Sequence, residues 1–174
     1  MNYSINTSDL RGFCEKLRAG DRVLLSGIVF TARDAAHKRF FQLLDNGESL
    51  PFDIKDAAIY YAGPTPTPEG RVIGSCGPTT SGRMDKFSPR LLDAGLCAMI
   101  GKGARDTEVC TAIARNNAVY LCAIGGAGAL AARSVTAAEV IAFPDLGCES
   151  VKKLCFDNFP LIVGTDSHGN SLFS

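Results

Sequence analysis

The chain has 174 residues, of which 46% are hydrophobic and 21% are charged. That length is enough for one complete hydrophobic core and too short for two comfortable domains, so we expect a single domain over residues 1–174. The 18 basic and 18 acidic side chains give a formal net charge of zero. This balance removes the electrostatic argument for a nucleic-acid partner or an anionic membrane surface.

Nothing in the sequence predicts a targeting or membrane segment. The first residues, MNYSINTSDLRGF, do not contain a basic stretch followed by an apolar one, which a secretory signal requires. No apolar run approaches the roughly 18 residues that a membrane helix needs. We therefore expect a soluble cytoplasmic protein.

Strand and helix signals alternate along the first part of the chain. Arg22–Phe30 is rich in apolar and β-branched residues and predicts a strand. An amphipathic helix is expected from Asp34 to the stop signal Asn46-Gly47. A short strand over Ala58–Ala62 and a rigid proline-rich loop over Gly63–Gly70 follow.

The alternation continues in the second part of the chain. Val72–Ser75 is predicted to be a strand that leads into a turn, with a helix after the turn that runs to Asp93. A buried strand is predicted next over Cys97–Ile100, then a helix over Asp106–Asn116 and a strand over Val119–Ile124. A glycine turn with a small-residue helix is expected over Gly125–Arg133, and a last hairpin region over Phe156–Val163. This order indicates an α/β fold with a largely parallel sheet and a separate antiparallel element at the ends.

The turn itself, GPTTSGRMD at residues 77–85, is the most informative run in the chain. Its Gly-Pro pair pre-shapes the backbone, and the hydroxyl residues after it are good helix N-caps. The free N–H groups of a helix start suit a carboxylate or a phosphate, and Arg83 adds a planar donor that matches a carboxylate. The alternative interpretation is a well-capped helix after a strand.

Cations or hydroxyl groups follow the first, third and fourth predicted strands. Arg33 follows the first, Thr79, Thr80 and Arg83 lie in the turn, and Lys102 follows the strand after it. Ligands of open α/β sheets collect outside the carboxyl ends of the strands. Three positive charges at such ends suit a small dicarboxylate, although each one taken alone is more often a surface cation.

The cysteines do not predict a metal or disulfide site. Their number is odd, and no two are separated by only two to four residues, which is the spacing of zinc knuckles. We expect Cys97, Cys122 and Cys155 to act as small reduced hydrophobes, and Cys76 to be a core residue at a strand end. The seven are Cys14, Cys76, Cys97, Cys110, Cys122, Cys148 and Cys155.

Two weaker signals leave alternatives open. Residues 126–131, GAGALA, fit a loose dinucleotide pattern, but no clear ribose-binding acid ends a following strand about 20 residues later. Close packing of the helix is the favoured interpretation of this run. His37 is expected to be a half-exposed helix residue, with orientation of Arg33 or of the following turn as its alternative role.

Three motifs together resemble the β subunit of class I iron–sulfur fumarate hydratase, which L(+)-tartrate dehydratase shares. They are TARDAAHKR at residues 31–39, GPTTSGRMD at residues 77–85 and MIGKG at residues 99–103, in order and at fitting separations. The resemblance extends from Leu24 to Asp166. It implies a swivelling β/β/α domain, with a mostly parallel sheet, helices and an additional β layer.

The resemblance also implies an activity. Family members hydrate fumarate reversibly to (S)-malate with a [4Fe–4S] cluster, which is expected on a partner α subunit and not on this chain. Arg33, Arg83 and Lys102 would then clamp the substrate carboxylates, Thr80 would add a hydrogen bond, and Thr79 would be the catalytic base. A free alcohol is a very weak base near neutral pH, so this last role requires cations around the alkoxide or a group that takes the proton onward.

The expected assembly is an α2β2 heterotetramer, and the isolated chain is expected to be inactive. Two alternatives concern function. In the first, the chemistry is the same and the substrate is L(+)-tartrate or a methylated fumarate. In the second, the chain is a non-catalytic anion- or nucleotide-binding module of the same fold.

Overall fold

A computed structural model describes residues 1–124 and 128–173. The strands among these residues are β1 Asn2–Asn6, β2 Arg22–Thr31, β3 Ala58–Tyr60, β4 Ala98–Gly101, β5 Val119–Cys122, β6 Val135–Ala142 and β7 Val151–Thr165. The α-helices are α1 Leu10–Phe13, α2 Asp34–Asp45, α3 Ser88–Asp93, α4 Thr107–Arg115 and α5 Gly128–Arg133. Two 3-10 helices cover Ser81–Met84 and Pro144–Glu149. None of the described helices has both the length and the apolar character that a membrane crossing requires.

The sheet is mostly parallel in its strand directions. Strands β1 to β5 lie side by side in chain order, and each is parallel to its neighbour. Strand β7 runs antiparallel to β2, β5 and β6. Because β7 pairs with both β2 and β5, the strands β2, β3, β4, β5 and β7 form a closed ring. The predicted α/β class, with a mostly parallel sheet and helices, is confirmed.

Two hydrophobic clusters lie on opposite sides of these strands, as the two-residue period of a strand requires. Tyr60 points into a cluster that contains residues of every strand in the ring, together with Leu10 of α1. Its neighbours Ile59 and Tyr61 point into a second cluster with buried residues of α2, α3 and α4. Helices α2, α3 and α4 therefore cover the outer face of the parallel strands, and apolar side chains fill the ring.

Two element predictions are wrong around the turn. Val72–Ser75 is not a strand, because Thr65 takes up its polar groups: Thr65 Oγ1 accepts from Ser75 N–H at 2.8 Å, and Thr65 N–H donates to Ser75 O at 3.0 Å. The helix after the turn does end at Asp93, but it is not continuous with the turn. Pro89 lacks the N–H that a continuing helix would need, so α3 starts anew at Ser88.

The C-terminal region also differs from the prediction. Phe156–Val163 was expected to form a hairpin, yet it lies inside the 15-residue strand β7. Asp157-Asn158, a turn-like pair, forms a bulge instead, with Asn158 N–H bonded to Ser26 Oγ at 2.9 Å. Strands β1 and β6 were not predicted, and of the two only β6, paired with β7, belongs to the antiparallel part.

Candidate active site

The turn at residues 77–85 lies across the carboxyl ends of β3 and β4. Thr79 N–H donates to Tyr61 O at 2.7 Å, just beyond β3. Ser81 N–H donates to Lys102 O at 2.9 Å, just beyond β4. These two backbone bonds place Thr79 and Thr80 at the same edge of the sheet as Lys102.

Arg33 reaches this edge from the end of β2. It is the N-cap residue of α2 and has an extended backbone. Its side chain lies across Gly63, where a β-carbon would come within 3.1 Å of both Cδ and Nη1 of Arg33. Glycine at position 63 therefore permits a close approach that brings the guanidinium to the end of β3.

All five residues predicted for the site lie at this one edge. Arg83 and Thr80 are exposed, and Arg33, Thr79 and Lys102 are half-buried. No described residue accepts a hydrogen bond from the Arg83 or Lys102 side chain. The edge therefore offers cationic donors, with hydroxyl groups between them, that are available to a small anion. The individual roles of the five residues stay predictions.

The helix start expected in the turn is only a short 3-10 turn. Thr80 occupies its N-cap position but makes no side-chain capping bond. Ser81 Oγ instead lies 2.9 Å from the Tyr120 hydroxyl, which donates to Gly103 O at 2.8 Å. Burial raises the pKa of Tyr120, so its hydroxyl stays a neutral donor. The strands below the turn, rather than its own caps, fix its shape.

A buried arginine that the sequence analysis missed supports the turn from below. The Arg105 side chain is fully buried, and its Nε donates to Asp85 Oδ1 at 2.6 Å. Its Nη2 donates to Ser88 Oγ at 2.7 Å and to Tyr61 Oη at 3.3 Å. The same guanidinium lies over the Tyr61 and Tyr120 rings, 5.3 and 5.0 Å from their centroids. Arg105 therefore joins the turn that contains Arg83 to the loop that contains Lys102. In the sequence, the feature that could have indicated this role is its position three residues after Lys102.

His37 is buried completely, so the expectation of a half-exposed residue is wrong. Its Nδ1 lies 2.7 Å from Arg33 O, and because a carbonyl only accepts, Nδ1 carries the proton. Desolvation lowers its pKa to about 4, which keeps the ring neutral. The ring contacts Phe40, Tyr61 and Phe87. His37 thus fixes the backbone of Arg33, in line with its alternative role.

The cysteines are free thiols, and no group of three or more His, Cys, Asp or Glu side chains among the described residues suits a metal ion. Cys76 and Cys97 are buried, as expected, while Cys122 and Cys155 are half-buried. Burial raises the pKa of the Cys76 thiol to about 12, so it remains protonated near neutral pH. A thiol in that state is a poor metal ligand.

Only part of the loose dinucleotide run is described, since residues 125–127 lie outside the described part. Gly128, at the start of α5, packs directly on the chain before the turn. A β-carbon there would be 2.2 Å from Ser75 Oγ and 3.0 Å from Gly77 N, and Cys76 N–H donates to Gly128 O at 3.0 Å. This contact agrees with the interpretation of close packing.

The chain matches known proteins over nearly all of its length. A family model described as the Fumarase C-terminus matches residues 2–174. The chain is 42% identical over 154 residues to the aerobic class I fumarate hydratase of Escherichia coli strain K12, a match that covers 87% of this chain and 28% of that protein. It is 41% identical over 157 residues to fumarate hydratase 2 of Leishmania major, with 89% and 28% covered.

A third relative has nearly the length of this chain. It is a Methanocaldococcus jannaschii protein provisionally named L(+)-tartrate dehydratase subunit beta, 40% identical over 179 residues, with 99% of this chain and 91% of that protein covered. The chain spans only 28% of the length of the fumarate hydratases it matches. On the match of residues 2–174 to the family model, the chain belongs to the Fumarase C-terminus family.

Proposed function

We propose that this chain is the β subunit of an iron–sulfur hydro-lyase that hydrates fumarate reversibly to (S)-malate together with an α subunit. The observation that carries the proposal is the convergence of Arg33, Arg83 and Lys102 with two threonines at one sheet edge. A relative that is matched over 91% of its length is itself named a beta subunit, which supports the β-subunit assignment.

The three cations would hold the two carboxylates of the substrate. Arg33 and Arg83 are planar donors that suit bidentate binding, and Lys102 adds a compact charge between the ends of β3 and β4. Thr80 would donate a hydrogen bond to the bound carboxylate. In the direction from malate to fumarate, Thr79 Oγ1 would act as an alkoxide that the nearby cations stabilise and would take the C3 proton. The C2 hydroxide would leave and, with that proton, give water.

A [4Fe–4S] cluster is assigned in this proposal to the α subunit. The donor set of this chain does not fit one: the buried Cys76 thiol is protonated near neutral pH, and the described cysteines form no metal-binding group. The complete active site would then lie between the edge described here and the cluster-bearing face of the partner, in a cytoplasmic α2β2 heterotetramer. The β subunit alone would be inactive.

We further propose that residues 1–174 form one domain of the swivelling β/β/α type. The closed ring of strands, with one hydrophobic cluster inside and another under the helices, supports this assignment. The substrate edge lies at the carboxyl ends of the parallel strands, where a whole-domain movement would open or close it against the α subunit.

L(+)-tartrate is the second candidate substrate. The relative that this chain covers most fully carries a tartrate dehydratase name, whereas the fumarate hydratases are much longer proteins. Tartrate and malate differ by one hydroxyl group, and the cations described here would bind the carboxylates of either. Direct comparison of the two substrates decides between them.

The test is an anoxic affinity purification of the chain from its native cells. We expect a larger partner to co-elute, and the pair, after treatment with iron and sulfide, to remove the ultraviolet absorbance of fumarate. With L(+)-tartrate the activity is followed as formation of oxaloacetate, because tartrate has no double bond to lose. This comparison fixes the substrate, and the chain purified without its partner is the control. A chain that elutes alone, with no activity in any combination, would support the anion-binding module instead.

A further inference from the structure

Glu149 faces the guanidinium of Arg33 without bonding to it. Arg33 Nε lies 3.8 Å from Glu149 Oε1, which is beyond hydrogen-bond distance. Both atoms are buried, and neither has a hydrogen-bond partner in the described part of the chain. A buried donor and a buried acceptor of opposite charge that stop just short of each other require an explanation, because such atoms are nearly always paired.

The segment that carries Glu149 is fixed independently of Arg33. Arg39 Nη1 donates to Asp145 Oδ1 at 2.8 Å, and the Phe143 ring packs against Phe40 at a centroid distance of 6.0 Å. After the segment, Lys152 Nζ donates to Ser150 Oγ at 2.8 Å. The 3-10 helix Pro144–Glu149 is therefore anchored to α2 on one side and to the start of β7 on the other.

The two Nη groups at the other end of the Arg33 guanidinium have no hydrogen-bond acceptor in the described part of the chain. The side chain passes along Gly63 at the end of β3, next to the segment that carries Thr79. Arg33 thus has Nε directed at a protein carboxylate, while its two Nη groups are available at the site edge.

We infer that Glu149 is a positioning residue for Arg33: it accepts from Nε and so presents both Nη groups to the substrate carboxylate. The inference rests on the proposed function. A movement of about 1 Å brings Nε and Oε1 to hydrogen-bond distance. Binding of a carboxylate at the Nη groups would supply that movement, since a guanidinium is rigid and turns as one body.

The kinetic test uses the assembled enzyme with its α subunit. We expect Glu149→Gln to raise the KM for the dicarboxylate about tenfold and to leave kcat within about twofold. The reason is that Arg33 binds the carboxylate equally in the substrate complex and in the transition state, so weaker binding changes KM and not kcat. Glu149→Asp keeps the charge and should recover part of the loss. Asp93→Asn is the matched control: it removes an exposed carboxylate that pairs with Arg115, outside the Glu149 segment, and it should retain the wild-type KM.

A double-mutant cycle separates positioning from general damage. Arg33→Lys removes the Nε–H that Glu149 faces, so Glu149→Gln should add nothing to the KM of an Arg33→Lys enzyme. Losses that multiply in the double variant would overturn the inference, as would an active Glu149→Gln enzyme with the wild-type KM. Inactivity of the wild-type assembly on fumarate, malate and tartrate would instead count against the proposed function.

A second readout does not depend on activity. In the chain labelled with ¹⁵N-arginine, the Nε–H signal of Arg33 is the one that Arg33→Lys removes. Glu149→Gln should shift this signal, because its closest charged acceptor is lost, and Asp93→Asn should not. An Arg33 signal that stays in place in Glu149→Gln would overturn the inference whatever the substrate is.

Discussion

Arg83 and Arg105 are both arginines of the site region, but they differ in burial and in hydrogen bonding. Arg105 is fully buried, and Asp85, Ser88 and Tyr61 accept from it. Arg83 is exposed, and no acceptor for its side chain exists among the described residues. A satisfied buried charge stabilises the fold, whereas an exposed charge with unused donors is available to a ligand. This contrast supports the proposed role of Arg83 in substrate binding and gives Arg105 a structural role in the turn.

Arg83→Lys tests the binding assignment. The lysine keeps the charge but loses the planar pair of donors. We therefore expect kcat/KM of the assembled enzyme to fall, with a loss of about 1–3 kcal/mol in transition-state stabilisation. Arg115→Lys, on the outer surface of α4, is the matched control and should have wild-type kinetics. Indistinguishable kinetics of Arg83→Lys and wild type would remove Arg83 from the site.

His37 links the stability of the site to pH. Because desolvation lowers its folded-state pKa to about 4 from the usual 6.5, the unfolded chain takes up a proton at pH values where the folded chain does not. Stability is therefore lost as pH falls through this window. Between pH 7 and pH 5, the wild type should lose about 2 kcal/mol more unfolding free energy than His37→Asn, which keeps a donor for Arg33 O.

Chemical denaturation of the chain at the two pH values measures this difference. His168→Asn, in an exposed turn, controls for the replacement of a histidine. An equal loss of stability in the wild type and in His37→Asn would show that His37 is not held neutral. Acid should lower the free energy of unfolding of the wild type, because the buried imidazole favours its neutral form. The variant lacks the imidazole and should not show this part of the decrease.

The sequence predicted the edge residues but not the groups that hold them. Arg33 and Lys102 follow strands whose ends can be read from local apolar runs, whereas Arg83 was found from the motif of its turn, since the strand predicted before it is not formed. The burial of His37 depends on Tyr61 and Phe87, which come from other parts of the chain. Helical periodicity gives the direction of a side chain and not what covers it, so neither this burial nor that of Arg105 could be predicted.

At the scale of the elements, one buried ion pair joins two loops of the site. Asp85 ends the 3-10 turn that contains Arg83, and Arg105 follows the loop that contains Lys102. Asp85 also accepts from Asp106 N–H at 2.9 Å, directly before α4. The relative position of Arg83 and Lys102 therefore depends on a contact that neither residue makes.

Arg105→Met tests this link. Removal of one partner of a buried pair leaves the other charge uncompensated, so we expect the free energy of unfolding to fall by about 3–5 kcal/mol. Arg115→Met removes half of an exposed pair with Asp93 and should cost less than about 1 kcal/mol. Equilibrium denaturation of both variants measures the contrast. Equal losses in the two variants would mean that the Arg105–Asp85 pair adds nothing to the fold.

Strand β7 shows why element types could be predicted more reliably than their connections. Asp157-Asn158 has the composition of a turn, and Asn158 does adopt a left-handed backbone with a φ of 51°. Strand β2 pairs with β7 on both sides of this point, so the chain absorbs the kink as a bulge and continues. Whether such a pair becomes a turn or a bulge depends on a partner strand more than 120 residues earlier in the chain, which local sequence does not reveal.

Across the whole molecule, the two ends of the parallel strands have different tasks. The carboxyl end carries Arg33, Arg83 and Lys102, and the amino end is closed by Arg11 from α1. Arg11 donates to Asp56 Oδ1, to Gly95 O and to the carbonyls of Asn116 and Asn117, at 2.8 to 2.9 Å. These acceptors lie in the turns that lead into β3, β4 and β5. One side chain therefore ties together three turns at the end opposite the site.

Each of these turns contains a residue with positive φ: Asp56 at 59°, Gly95 at 116° and Asn117 at 47°. Left-handed turns leave carbonyl groups without helical partners, and the Arg11 guanidinium satisfies them with donors that the turns themselves lack. The bonds are local to the amino end of the strands. The contribution of Arg11 to stability should therefore be independent of substrate binding at the carboxyl end of the strands.

Arg11→Met tests this independence. Loss of charge-assisted bonds to half-buried carbonyls should lower the free energy of unfolding by about 1.5–3 kcal/mol, because methionine fills the space but donates nothing. The KM of the assembled enzyme should stay at the wild-type value, since Arg11 lies at the far end of the strands. Arg83→Lys should show the reverse, with an altered KM and wild-type stability. If Arg11→Met changes the KM as strongly as Arg83→Lys does, the two ends are coupled, and the site is not held by the carboxyl edge alone.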